Sequence, residues 1–191
     1  MNQKFTILTE IIHSRRAVFP QFYEAGQISD ELIDAIIENG RWAPNHKKTE
    51  PWRFVVITKA KLQELSDYLM EEYKNKTSPE NFDAIKMKKA GEKPLQSAAV
   101  IAICIHRSPE TLIPAWEETA AVACAVQNMW LSCTALHIGC YWSTPGAISK
   151  MNEFLKLEEH ESCIGLFYMG WTKESIPVTK RKGVEEISRK L

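Results

Sequence analysis

Eight consecutive residues without a charge, Ala98-Ala-Val-Ile-Ala-Ile-Cys-Ile105, constrain this chain more than any other stretch. No polar alternation runs through them, which fits a strand covered on both faces, and such a strand sits inside a sheet with helices packed on it. The run is far shorter than the roughly 20 residues that span a bilayer, and residues 1–10 lack a secretory apolar region. A cytoplasmic protein with no membrane partner is expected.

Helical periodicity flanks this strand. Phe5, Leu8, Ile11 and Ile12 predict an amphipathic helix ending near Arg15-Arg16, and a loop with Pro20 and Gly26 follows. Ser29 is placed to cap a helix with face Leu32, Ile33, Ile36 and Ile37, ended by Asn39-Gly40. After a loop from Arg41 to Pro51, the aromatic and β-branched run Trp52–Thr58 predicts a strand. Thr58 is expected to cap a helix with face Leu62, Leu65, Leu69 and Tyr73. Residues 75–93 are Lys-rich and interrupted by Pro79 and Gly91, which suggests a mobile wall. Between Pro114 and His137, Trp116, Ala120, Ala123, Gln127, Trp130 and Thr134 recur at 3–4 spacing in a helix that is apolar almost all round; such a helix is expected to be deeply buried, against a partner chain. Gly139 is expected to close it and Ser149 to cap a further helix. Cys163–Gly170 predicts the last strand, and residues 171–191, with few apolar anchors, an arm over another surface.

At 191 residues a single domain over 1–191 is expected. Lys plus Arg and Asp plus Glu are both 24, so no global field attracts nucleic acid. Five cysteines without a C-x-x-C pair suit a reducing cytosol. Gly165–Thr172 has P-loop glycine spacing, but Trp171 stands where the phosphate-binding lysine belongs. No G-x-G-x-x-G, G-x-S-x-G or H-E-x-x-H occurs, so a Rossmann site, a serine hydrolase and a metal centre are all disfavoured.

Three segments carry more polar and aromatic chemistry than folding requires. In His13-Ser14-Arg15-Arg16-Ala17 the adjacent guanidiniums repel each other unless an anion such as a phosphate joins them; a solvated basic pair at a helix C-terminus is the plain alternative. Arg41–Trp52 is crowded with ring faces, amides and cations suited to a flat polar heterocycle, although Trp42 and Trp52 would also serve as core anchors and His46 as a turn histidine. Cys140–Gly146 offers backbone amides and hydroxyls beyond a buried helix, or is a simple turn.

Together, Arg15-Arg16-Ala17, the block Trp42-Ala-Pro-Asn-His-Lys-Lys-Thr-Glu-Pro-Trp-Arg-Phe54, Tyr141-Trp-Ser-Thr-Pro145 and a final strand ending at Gly170 before a basic tail resemble the FMN-dependent nitroreductase family, especially its short-chain members. The resemblance spans nearly the whole chain in order, and residues 43–52 are its most specific part. It implies an α+β fold with a central mixed sheet flanked by helices. It also implies an intertwined homodimer with an extended C-terminal arm and two flavin mononucleotide (FMN) sites, each built from both chains. By the same resemblance Arg15, Arg16 and Ala17 meet the FMN phosphate region, Trp42 and His46 reach in from the other subunit, and Trp142, Ser143 and Thr144 line the flavin. Arg181 adds a phosphate contact. NADH or NADPH would donate electrons, and a nitroaromatic, quinone or related small molecule would accept them in a ping-pong scheme. No dedicated catalytic acid or base and no metal ligand is assigned.

Two positions depart from the family pattern. Ala17 replaces a common serine, and Phe19 stands where many relatives carry a cation near the flavin ring, leaving Arg16 or His46 as substitutes. That second departure keeps open a dimeric flavin-binding or sensing protein with little turnover, beside the alternatives of reductive dehalogenation, azoreduction and flavin breakdown.

Overall fold

The computed structural model describes residues 2–109, 112–173 and 179–191. Strands β1 (Trp52–Ile57), β2 (Ala99–His106), β3 (Ile138–Ser143) and β4 (Glu161–Trp171) form a sheet of order β1-β2-β4-β3. The apolar run is thus an interior strand, as expected. Every neighbouring pair is antiparallel. The parallel component is confined to a bridge between Ala17 and Cys140, so the sheet is mixed only at its β3 margin.

Alternate residues of β2 serve two cores, which explains the lack of polar alternation. Ile101, Ile103 and Ile105 pack beneath helices α2 (Asp30–Arg41) and α5 (Ala115–Ala135). Val100, Ala102 and Cys104 pack with α3 (Ala60–Lys76) and α6 (Met151–Leu155) on the opposite face. Helix α1 (Gln3–Ser14) leads into the segment that bridges β3, α4 (Ala84–Leu95) lies on α3, and a short α7 (Val184–Ile187) lies in the tail. Residues 174–178, which include Pro177 of the expected arm, lie outside the described residues.

Several local expectations are corrected. Ser29 does cap α2, its hydroxyl accepting from Leu32 N at 3.3 Å, but the helix runs past Asn39-Gly40 to Arg41. Lys59, with φ 53°, rather than Thr58 precedes α3, and Ser149 lies within a 3-10 turn while Lys150 precedes α6. Much of the presumed wall at 75–93 is helix: Asp83 caps α4 by accepting from Ile85 N (2.8 Å) and Lys86 N (3.2 Å). Gly91 does not break that helix but lets it approach α3, since a Cβ there would stand 2.7 Å from Met70 Sδ. Gly139 is not the end of α5 but a residue of β3.

Helix α5 presents two unlike sides within one chain. Ala121, Val122, Ala125, Val126, Met129 and Cys133 meet the sheet, whereas Ala120, Ala123 and Gln127 are exposed and Trp116 is 69% exposed. Both sides of the helix are apolar, so periodicity alone had no polar face by which to orient it. No residue of α1 is buried, and Phe5, Leu8 and Ile12 are about half exposed.

Candidate functional site

Arg15 and Arg16 follow α1 and are fixed by different partners. Arg16 Nη1 donates to the carbonyls of His13 (2.7 Å) and Arg15 (2.8 Å), a use of the open carbonyls at a helix C-terminus. The Arg15 guanidinium lies 4.8 Å from the ring centroid of Trp130 on α5, whose indole Nε1 donates to the Arg16 carbonyl at 3.1 Å. Beyond them Ala17 bridges Cys140, and Val18 N donates to Cys140 O at 2.9 Å. Tyr23 secures this run to β4: its hydroxyl donates to Val18 O at 2.9 Å and lies 3.0 Å from Tyr168 O.

Charge gathers here without compensation. Burial, then Arg16, then Arg181 from the tail lower the Arg15 pKa, so three guanidiniums act on one region. Among the described residues no carboxylate pairs with Arg15, Arg16 or Arg181. Arg16 Nε is buried with no hydrogen-bond partner. A buried unpaired guanidinium nitrogen is costly, and an anion with several oxygens would meet both deficits. The residues present therefore fit a phosphate-bearing cofactor.

Next to the arginines β3 supplies a flatter wall. The Trp142 indole lies over Gly165, where even a Cβ would collide with it, so its side chain is partly committed to the sheet. Ser143 is buried and pairs with Leu166, and Thr144 is exposed just beyond the strand. Phe19 meets Tyr141 at 4.5 Å between ring centroids, and Lys93 Nζ on α4 stands 5.4 Å from the Tyr141 centroid. Lys93 and Phe19 thus share Tyr141 as a neighbour. In the sequence Lys93 was hidden in a Lys-rich stretch, and only the packing of α4 singles it out.

Trp42 and His46 do not join this group within one chain. Trp42 is 75% exposed, its indole donating to Glu38 Oε1 at 3.0 Å. His46 Nδ1 is 2.5 Å from Glu117 Oε2 in the first turn of α5. Lys47, Lys48 and Glu50 all have positive φ (51°, 55° and 42°), and Asn45 Oδ1 accepts from Glu50 N at 3.2 Å, so a strained turn presents the imidazole. Glu117 and Trp130 are 13 positions apart along α5, about 20 Å on its axis. Nothing in the sequence marked Glu117 as the partner of His46.

Residues 12–171 match the profile described as the Nitroreductase family. The chain belongs to the nitroreductase family. As a nitroreductase-family chain it resembles in fold the nitroreductase-like family protein of Bacillus cereus, with a TM-score of 0.79 and 20% identity over 96% of this chain and 95% of that one. It also resembles a nitroreductase with bound FMN from Bacteroides fragilis, with a TM-score of 0.69 and 20% identity over the full length of both. Among sequence relatives, an iodotyrosine deiodinase of Hydra vulgaris is 27% identical, spanning 94% of this chain and 71% of that protein. No helix among the described residues is long and apolar enough to cross a membrane.

Proposed function

We propose that the protein is a homodimeric FMN-dependent NAD(P)H oxidoreductase that reduces nitroaromatic, quinone or related electron-poor acceptors. The observation that carries this reading is the convergence of Arg15, Arg16 and Arg181 with no counter-ion among the described residues and with Arg16 Nε buried and unpaired. Those residues would hold the FMN phosphate, with Ala17 offering its backbone beside them. Trp142, Ser143 and Thr144 would line the flavin ring. When bound, FMN supplies the redox chemistry, taking a hydride from NADH or NADPH and passing electrons to an acceptor that replaces the oxidised donor.

Lys93 takes the part of the cation missing at Phe19, and a cation near the ring favours a reduced, negatively charged flavin. Trp42 and His46 complete the site from the partner subunit. Two things support this: their separation from Arg16 along α5, and the exposed apolar stripes of α1 and α5, which are of the kind a second copy covers. The chain's own groups position rings and exclude water, and none is assigned as a dedicated proton donor. Reductive dehalogenation of halogenated phenols is the second reading, favoured by the deiodinase relative.

A visible spectrum of the purified protein, followed anaerobically after adding NADH and then NADPH, tests the proposal. Flavin bands that bleach with either donor are expected. Bands that persist would indicate a flavin-binding protein without this activity, and a colourless chain that does not take up FMN would refute the reading. Comparing turnover of a nitroaromatic, a quinone and an iodophenol by the reduced protein then separates the two acceptor classes.

A further inference from the structure

A cavity of about 290 Å³ opens between α3, α4 and the turn after β3. Leu69, Ala90, Pro145 and Ala147 give it an apolar wall, and Glu72, Tyr73 and Lys76 give it polar and aromatic groups. Two of its lining residues are close in sequence to residues of the candidate flavin wall. Pro145 follows Thr144 directly, and Ala90 precedes Lys93 by three residues, close to one helical turn of about 5 Å. Its volume approaches the lower end of small-ligand pockets, and a mostly apolar wall with a few polar groups is the usual composition of such sites.

Glu72 gives the cavity its chemistry. Its side chain is 18% exposed, and no hydrogen bond reaches its carboxylate among the described residues. Its one charge partner, Lys76, is 4.0 Å away and drawn aside, donating to Gly146 O at 3.0 Å and to Ser149 Oγ at 3.3 Å. Its carboxylate oxygens keep contact with solvent, so an ammonium entering the cavity can reach them and form a charge-assisted hydrogen bond. The Tyr73 ring lines the same space, and an aromatic face beside a carboxylate suits a cation.

We infer that this cavity is a binding subsite for the amine-bearing arm of an aromatic ligand, with the ammonium donating to Glu72 and the apolar body against Leu69, Ala90 and Pro145. In the proposed function it selects acceptors whose reducible end lies over the flavin while an aminoalkyl arm extends toward α3; only that identification of the ligand as an acceptor rests on the redox reading. Calorimetric titration of phenethylamine, which flavin cannot reduce, into the full FMN-loaded protein tests binding without turnover. Glu72→Gln is expected to weaken phenethylamine about tenfold or more while leaving phenethyl alcohol little changed, and Ala90→Phe is expected to weaken both by filling the space. Equal affinities in wild type and both variants, or no binding to wild type, would overturn the subsite. In turnover, Glu72→Gln is expected to raise KM for 4-nitrophenethylamine relative to 4-nitrophenethyl alcohol by a similar factor. A flavin that no nicotinamide bleaches would remove the redox reading and leave calorimetry to decide the cavity. Bleaching with unaltered calorimetry would remove the cavity alone.

Discussion

Arg16 combines a pinned guanidinium with a buried unpaired Nε, so its removal tests the anion site more sharply than removal of a solvated arginine would. Arg16→Met is expected to weaken FMN by about 1.5–3 kcal/mol, roughly ten- to a hundredfold in Kd, read by the fluorescence of released flavin on dilution. Ala17→Ser should move the other way by about 1 kcal/mol, because it restores a hydroxyl donor beside the phosphate position. Lys93→Met is expected to lower the flavin midpoint potential by roughly 30 mV, the equivalent of about 1.4 kcal/mol for a two-electron couple, measured by spectroelectrochemistry. An unchanged potential would show that Lys93 serves Tyr141 only. Gly165→Ala forces the Trp142 ring off the sheet; a loss of about 1–3 kcal/mol is expected, together with an altered flavin spectrum.

Helix α5 shows best which information the chain carried openly and which it did not. Its existence and length were legible from the unbroken 3–4 repeat, but its orientation was not, because an apolar residue lies on almost every side and only the sheet decides which ones are covered. The interior place of β2 was legible because its two faces are equally apolar, a property no edge strand needs. By contrast, Gly91 reads as a breaker in a linear chain and works as a contact point once α3 is beneath it. Residue type alone left the arginine pair open between an anion site and a solvated basic pair, and the Trp142–Thr144 segment open between a polar wall and a turn; the family resemblance is what tied both to a flavin. Lys93 and Glu117 were not legible, since each gains its meaning from a residue far away in sequence, Tyr141 and His46 respectively. The exposed side of α5 makes a prediction of its own: Ala120→Glu with Ala123→Glu should leave the fold intact and yield a monomer in sedimentation that has lost FMN. A monomer that keeps its flavin would contradict the shared site.

Across the whole molecule, buried phenols set an alkaline limit. Burial raises the pKa of Tyr23 and of Tyr168, whose ring stacks near Tyr141 while its carbonyl lies 3.0 Å from the Tyr23 hydroxyl. The unfolded chain releases these protons near pH 10 and the folded chain retains them, so their stabilisation is complete below that pH and lost above it. Burial holds the Cys140 thiol up as well, so the unfolding free energy from urea titrations should begin to fall near about pH 8.5 and more steeply above about pH 10, by up to about 1.4 kcal/mol per pH unit for each such group. The length of α5 has a different outcome, visible in mixtures of chains. If it keeps Arg16 and His46 too far apart to serve one flavin from one chain, a protein disabled at Arg16 and another disabled at His46 repair each other when co-expressed. About half of the pairs formed at random from equal amounts are mixed, and each mixed pair holds one doubly damaged site and one intact site, so roughly a quarter of normal activity should return from two inactive parents.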